Sequence, residues 1–240
     1  MRGIEKRGLH RPATSLGLGQ VPIGNGNGNE YGGAGFTLIE ILVVVAIISI
    51  LAGLSMAGLQ YARKRGNENA ARVEIQMLGA RIKSFENEYG DFPPSSLSDI
   101  KIQGNGLNDG NESLFAFLQT RKHGGRFAED LKEDRWRNAD GDRVAASDAK
   151  TLKQKIDWGR GENAELLEYV DLWGNPYVYI HSKDYGKKFR YQNEEGIFEV
   201  EAQKNPATGT YYAPTTFQLW SIGEDDLNEN GNGDDIVSWK

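Results

Sequence analysis

Residues 36–59 read FTLIEILVVVAIISILAGLSMAGL, 24 residues with one charged side chain, Glu40. As a helix rising about 1.5 Å per residue, this run reaches about 36 Å, enough to cross a bilayer with some tilt. A buried core helix is disfavoured, because the run is apolar on every face and precedes a body of modest size. A secretory signal peptide is the stronger rival, and SMA at 55–57 could pass for its cleavage site. The apolar core of such a peptide is, however, only about 7–15 residues long. The run therefore predicts a membrane-crossing helix, and the rest of the chain must fold as a body joined to it.

Residues 1–35 show no hydrophobic periodicity and contain GNGNGN (24–29) and GGAG (32–35), which predicts a flexible leader. Beyond the apolar run, Ala71, Ile75, Leu78, Ile82, Phe85 and Tyr89 recur at steps of three and four. That spacing predicts one apolar stripe on an amphipathic helix, with Arg72, Glu74, Arg81, Lys83 and Glu86 off the stripe. Gly90 and the pair Pro93–Pro94 end it. One helix of about 55 residues results, by count of its apolar pattern, with Gly66 as its expected weak point. Between 91 and 170 the pattern weakens: ESLFAFLQTRK (112–122) predicts a short helix, whereas TLKQKIDW (151–158) and ELLEYV (165–170) are indistinct. From Tyr177 onward, YVYIHS, KFRYQ, IFEVEA and TFQLWSI are rich in β-branched and aromatic residues and separated by turn residues. Short strands with short links predict an antiparallel sheet, giving an α+β fold with the sheet on the helix stripe.

A carboxylate inside a bilayer costs about 2.5–3.5 kcal/mol on insertion scales, and no basic residue lies within one helical turn of Glu40. Two readings stand. A cut after Gly35 gives Phe36 a new α-ammonium group, one turn from Glu40 or beside the Glu40 of a neighbour. Glu40 is then an assembly residue, unpaired until a neighbour arrives. Alternatively, Glu40 is an interfacial carboxylate reaching to the headgroups from near the end of the run.

A second concentration of charge lies at 223–235, where Glu224, Asp225, Asp226, Glu229, Asp234 and Asp235 occur with no Lys or Arg. A solvated acidic turn is the usual fate of such a run. A hard cation would relieve the repulsion, since Ca²⁺ accepts about 6–8 oxygens in flexible geometry. DLNENG (226–231) imitates the opening of an EF-hand loop, but the position that needs a bidentate glutamate holds Val237. NADGDRVAASD (138–148) has alternating Asn138, Asp140 and Asp142, with Arg143 where glycine belongs and no glutamate in place. It reads as a turn, with a second Ca²⁺ site as the minor alternative. Trp173, Trp220 and Trp239 read as core.

The function classes narrow from composition. The chain has no cysteine, which excludes disulfides and thiolate metal sites. Its net charge is −6 and the leader carries +2, so the body without it is −8. An acidic body argues against nucleic acid as a partner. There is no G-x-S-x-G, H-E-x-x-H, Walker loop or dinucleotide fingerprint, and His123 and His181 have no nucleophile or metal spacing near them. No enzymatic activity is expected.

The stretch G-FTLIE followed by a long apolar run resembles the processing site of type IV pilins and type II secretion pseudopilins. The resemblance implies that a prepilin peptidase cuts between Gly35 and Phe36 and N-methylates Phe36, leaving Glu40 as the fifth mature residue. DLWGNPYVYI (171–180) and LWSIGEDDLNENGNGDDIVSW (219–239) resemble segments of the type II secretion major pseudopilin family, in which a D-x-W-G-N-P-Y turn enters the sheet and an S-x-G-x-D segment leads to a D-D-I-x-x-W ending. The resemblance covers about 36–94 and 171–239.

It implies a pilin fold: leader 1–35, removed; assembly helix 36–59; amphipathic helix 60–90; variable region 91–170; and 171–240 as antiparallel sheet with an acidic calcium loop. By the resemblance, calcium is held by Asp225, Asp234 and Asp235 with the carbonyls of Ile222 and Asn232, Asn228 or Asn230 being possible substitutes. The implied function is a subunit of a secretion pseudopilus, a homo-oligomeric helical filament supporting export across the outer membrane. A type IV pilin for adhesion or motility and a membrane-tethered exported enzyme are the alternatives. Expected partners are prepilin peptidase, minor pseudopilins and inner-membrane assembly proteins. The implied location is the bacterial inner membrane, with the C-terminal domain periplasmic. Arg63, Lys64, Arg65 and Arg72 follow the apolar run, so charge bias alone favours the opposite orientation.

Overall fold

The computed structural model describes residues 35–119, 127, 129, 131–144, 148, 150 and 165–239. The leader before Gly35, His123 and the indistinct segment 151–158 lie outside them. The chain divides into two units, Met1–Leu51 and Ala52–Lys240.

In the first unit, helix α1 (Leu38–Tyr89) begins, and the large apolar side chains from Leu38 to Leu51 are exposed. Ser49 does not interrupt this apolar surface, because its hydroxyl donates to the Val45 carbonyl one turn back (2.7 Å). By length and composition α1 is able to cross a membrane.

In the second unit α1 continues unbroken through Gly66, the single long helix that the sequence predicts. Backbone hydrogen bonds to both sides hold a lone glycine in a long helix, where its cost is only about 1 kcal/mol. The helix ends at Tyr89, followed by Gly90 with φ +80°. Ala71, Ile75, Leu78, Ile82 and Phe85 are all buried, as the spacing predicts, and Tyr89 packs at the edge of the same cluster. Helix α2 (Asp109–Leu118) adds Leu114, Phe115 and Leu118 to this core.

The strands are β1 (Trp136–Arg137), β2 (Glu168–Tyr169), β3 (Val178–His181), β4 (Lys188–Asn193), β5 (Gly196–Glu201), β6 (Phe217–Ser221) and β7 (Ile236–Val237). All pairings between them are antiparallel, but they form three sheets rather than one: β1–β2, β3–β6–β7 and the hairpin β4–β5. The three-stranded sheet is buried on both faces. Tyr177, Tyr179 and Leu219 point into the helix core. Their neighbours Val178, Ile180, Trp220 and Ile222 point into a second core with Tyr191 and Val200 of the hairpin. The period-two alternation of side chains produces both layers at once. The two faces explain why these strands read as nearly continuous apolar runs.

Helix α2 is seated by close backbone approach. A Cβ on Gly110 would lie 2.2 Å from the Tyr179 carbonyl oxygen, so only glycine admits this contact. Beside it, the buried Asn111 amide donates to the carbonyls of Tyr169 (3.0 Å) and Tyr177 (2.8 Å), and its oxygen accepts from the Tyr169 N–H (2.9 Å). One side chain thereby satisfies backbone groups of β2 and of the residue entering β3.

Candidate functional site

Gly35 lies just before α1, with open space around it, and Phe36 is 82% exposed. Thr37 and Glu40 close a capping box at the helix start. The Thr37 N–H and hydroxyl donate to Glu40 Oε2 (2.8 and 2.9 Å), and the Glu40 N–H donates to Thr37 Oγ1 (3.3 Å). Thr-x-x-Glu ahead of an apolar run is the sequence signature of this motif. Glu40 thus has hydrogen-bond partners within its own first turn, while no cationic side chain among the described residues pairs with it. Sequence reasoning sought a cation for the carboxylate and overlooked the neutral donors that every helix N-terminus leaves unused. The box supplies no countercharge and engages only Oε2.

The acidic loop is anchored by the 171–175 turn. Asp171 Oδ1 accepts from the N–H groups of Trp173, Gly174 and Asn175 (2.9, 3.0 and 2.9 Å), and the Ser221 hydroxyl donates to Oδ2. The Asn175 amide donates to the Gly223 carbonyl (3.3 Å) and Asp226 Oδ1 (2.7 Å). The two C-terminal segments singled out in the sequence are thus one hydrogen-bonded unit. Burial pushes the Asp171 carboxyl up to about 6, against the lowering effect of these donors.

Within the loop, one carboxylate oxygen from each of Asp225, Glu229 and Asp234 lies within 4.8 Å of the others. Asp225 Oδ1 accepts from the Leu227 N–H (2.9 Å), Asp234 Oδ2 from the Glu224 N–H (2.9 Å) and Glu229 Oε2 from the Asp234 N–H (3.0 Å). Asp235 is outside this trio. Its Oδ2 accepts from the Gly231 and Glu229 N–H groups (2.6 and 3.1 Å), and burial pushes its carboxyl up to about 7. The Asn232 carbonyl accepts from the Asp235 N–H (2.9 Å), while Ile222 is fully buried at the end of β6. Of the expected ligand set, Asp225 and Asp234 are brought together, Asp235 serves as an internal acceptor, and Glu229 is an addition. Asn228 accepts from the Trp220 indole (3.1 Å) and donates to Asn230. Trp220 is core as expected, whereas Trp173 and Trp239 are half-buried. Lys64 on α1 pairs with Glu224 (3.1 Å), the one loop acid with a basic partner among the described residues.

An ion pair that sequence reasoning missed joins α1 to the body. Arg135 Nη1 donates to both oxygens of Glu74 (2.6 Å each), Arg135 Nε donates to the Val170 carbonyl (2.7 Å), and the hydroxyls of Tyr169 and Tyr177 donate to Glu74 (3.0 and 2.8 Å). Glu74 precedes the stripe residue Ile75, a flank position whose burial depends on what lies opposite.

Residues 33–56 match the family described as the prokaryotic N-terminal methylation motif. The chain is similar to the type II secretion system core protein G of Xanthomonas campestris pv. campestris, 33% identical over 78 residues, which are 32% of this chain and 54% of that protein. It is similar to the type IV major pilin protein PilA of Myxococcus xanthus, 39% identical over 61 residues, 24% of this chain and 28% of that one. A third relative, the type IV wide pilus major component PilA4 of Thermus thermophilus, is 59% identical over 41 residues, 17% of this chain and 31% of that one. The chain thus spans about half the length of the first relative and less of the other two. No solved structure matches it significantly. These relatives are structural subunits rather than enzymes. The methylation motif, the long helix on antiparallel sheets and the similarity to these relatives together support a place in the type IV pilin-like family, pseudopilins included.

Proposed function

We propose that this chain is a structural subunit of a type II secretion pseudopilus, anchored in the inner membrane and polymerised through residues 36–59. The carrying observation is the methylation motif set on an exposed apolar helix whose first turn holds the charged Glu40. A peptidase cut after Gly35 creates an ammonium group on Phe36. Packed in parallel and staggered by one subunit, such helices bring that ammonium to the Glu40 of a neighbour. Each charge is then matched as both leave water, which removes the cost of burying either alone. The C-terminal unit faces the periplasm, and export across the outer membrane is the function served.

The similarity to protein G and the linked 171–175 and 223–226 segments favour a pseudopilus. A type IV pilus subunit is the second reading, favoured by the higher identity to PilA and PilA4 over shorter stretches. Prepilin peptidase, minor pseudopilins and inner-membrane assembly proteins are the partners of the proposed process.

The acidic loop fits a calcium ion. Asp225, Glu229 and Asp234 converge, and Asp234 Oδ1 and Asp235 Oδ1 are buried without hydrogen-bond partners. Asp225, Glu229 and Asp234 would hold it, with Asp235 and the carbonyls of Ile222 and Asn232 as the remaining oxygens. The ion would neutralise the loop and fix its conformation.

Two measurements test the assembly reading. Mass spectrometry of the purified native protein is expected to show a chain beginning at N-methylated Phe36. Glu40→Gln keeps acceptors for the capping box but removes the charge, whereas Glu40→Ala removes both. Both variants are expected to fail to enter filaments. Normal incorporation of Glu40→Gln would mean that helix capping, not charge matching, is the role of this residue.

A further inference from the structure

A second group of acids lies in the region between the two matched segments. Glu112 is on α2, Asp140 and Asp142 are in the 138–142 loop, and Glu168 is on β2. One oxygen each of Glu112, Asp140 and Glu168 lies within 4.8 Å of the others. Asp142 joins them through Gly104: a Cβ placed there would lie 3.3 Å from Asp142 Oδ2 and 3.5 Å from Glu112 Oε2. Glu112 is only 1% exposed and Glu168 0%.

Acidic residues alone do not make a site, but this group has a second property. Neither oxygen of Glu112 has a hydrogen-bond partner, although α2 carries this side chain into the acidic loop from a separate element. Asn138 Oδ1, Asp140 Oδ2, Asp142 Oδ1 and Glu168 Oε1 are likewise buried without partners. The remaining oxygens are used: the Ala139 N–H donates to Glu168 Oε2 (2.7 Å), the Asn105 N–H to Asp142 Oδ2 (3.3 Å) and the Asp142 N–H to Asp140 Oδ1 (3.3 Å). The Asn138 amide donates to the Asp142 carbonyl (2.9 Å), which turns its oxygen the other way. Among the described residues, no basic side chain pairs with any of the four acids. A buried, uncompensated carboxylate is among the most costly features a fold can hold, and native proteins pair such groups or give them to metals.

We propose that Glu112, Asp140 and Glu168, with Asp142 and Asn138 beside them, bind a calcium ion that fastens α2, the 138–142 loop and β2 together. The donors are all oxygen, which suits a hard cation and not a transition metal. Their number and their origin in three elements suit the flexible coordination of Ca²⁺. Mg²⁺ retains several waters, for which a buried site gives little room. Asn-x-Asp-x-Asp at 138–142 supplies the alternating ligands with which a calcium loop begins. The glutamate missing after it in sequence comes instead from Glu112 before the loop and Glu168 after it.

The rival is a proton shared between Glu112 and Asp142. Equilibrium dialysis of the full-length chain in non-ionic detergent against radiolabelled calcium separates the two. Glu112→Gln and Glu168→Gln are near-isosteric, and Asp140→Asn alters only the half-buried loop. Each is expected to lose about one bound equivalent, whether or not Asp234→Ala has already removed ions from the 223–235 loop. In chelator, Glu112→Gln is expected to melt close to wild type, because the raised carboxyl is already uncharged there. In millimolar calcium it is expected to melt below wild type. Unchanged stoichiometry in all three variants, with a wild-type melting response to calcium, would overturn the site and leave the shared proton. Should the glutamate variants fail to fold, Asp140→Asn with wild-type stoichiometry overturns it equally. Loss of binding only through Asp234→Ala would assign every ion to the other loop and also refute this one.

Discussion

Replacing Glu74 with alanine tests how α1 is held to the body of the second unit. The Glu74 and Arg135 side chains are only 11% and 10% exposed, and Nη1 lies 2.6 Å from Oε1. Arg135 keeps its bond to the Val170 carbonyl, but its charge loses its partner. Removing one member of a buried ion pair costs about 3–5 kcal/mol, chiefly because the other charge remains buried and unpaired. Here the hydroxyls of Tyr169 and Tyr177 also lose their acceptor, with a further about 1 kcal/mol each where no water replaces it. Glu74→Ala is therefore expected near the upper end of that range. The double variant Glu74→Leu/Arg135→Met buries apolar groups of similar size, and such replacements are often neutral or stabilising. It should recover most of the loss. The assay is urea unfolding of the full-length chain in non-ionic detergent, followed by tryptophan fluorescence, with the two single variants completing a double-mutant cycle. A Glu74→Ala loss below about 1 kcal/mol, or a double variant no better than the single, would refute the reasoning about a desolvated charge.

Gly110→Ala places a methyl group against the Tyr179 carbonyl, and a loss of about 1–3 kcal/mol is expected in the same urea assay. Asp171, whose folded pKa is raised from 3.8 to about 6, stabilises the fold fully below about pH 4, and that contribution disappears as pH rises through about 6. The shift of about 2 units corresponds to about 3 kcal/mol, so the unfolding free energy of Asp171→Asn should lack this part of the pH slope; an identical slope in the variant counts against it. Chelation of calcium should lower the melting temperature of wild type, and Asp234→Ala should reduce that response; a wild-type melt indifferent to chelator ends the case for calcium in the 223–235 loop.

The helix stripe was legible because a period of three to four residues has few other meanings: five of its six positions are fully inside. Strands β3 to β6 were legible for the same kind of reason, their boundaries falling within about one residue of the alternating or aromatic runs, whereas the two-residue strands β1, β2 and β7 were not read. Their division into layers was not. Val178 and Tyr179 are both apolar, and only the partner across the sheet decides which core each enters. The acids were the least legible part. Glu74 stood only as a residue off the stripe and Glu112 and Glu168 gave no signal of their own, and the burial of all three follows from distant elements that no local pattern reveals. Asn138, Asp140 and Asp142 showed their spacing, but the two glutamates that complete the group are 26 positions before the loop's Asn138 and 26 after Asp142. At the other end of the chain, Thr37 and Glu40 displayed a capping signature openly, and it was passed over in favour of the rarer feature, a charge in a bilayer.

Every atom of the Thr37–Glu40 box lies downstream of the Gly35–Phe36 bond. Scission there would neither unwind the first turn nor need a new structure to form afterwards. On the proposed reading a precursor would wait in the bilayer with its rod already wound, and the protease would act as a switch of charge alone, converting a neutral amide into a cation without touching the scaffold that presents it.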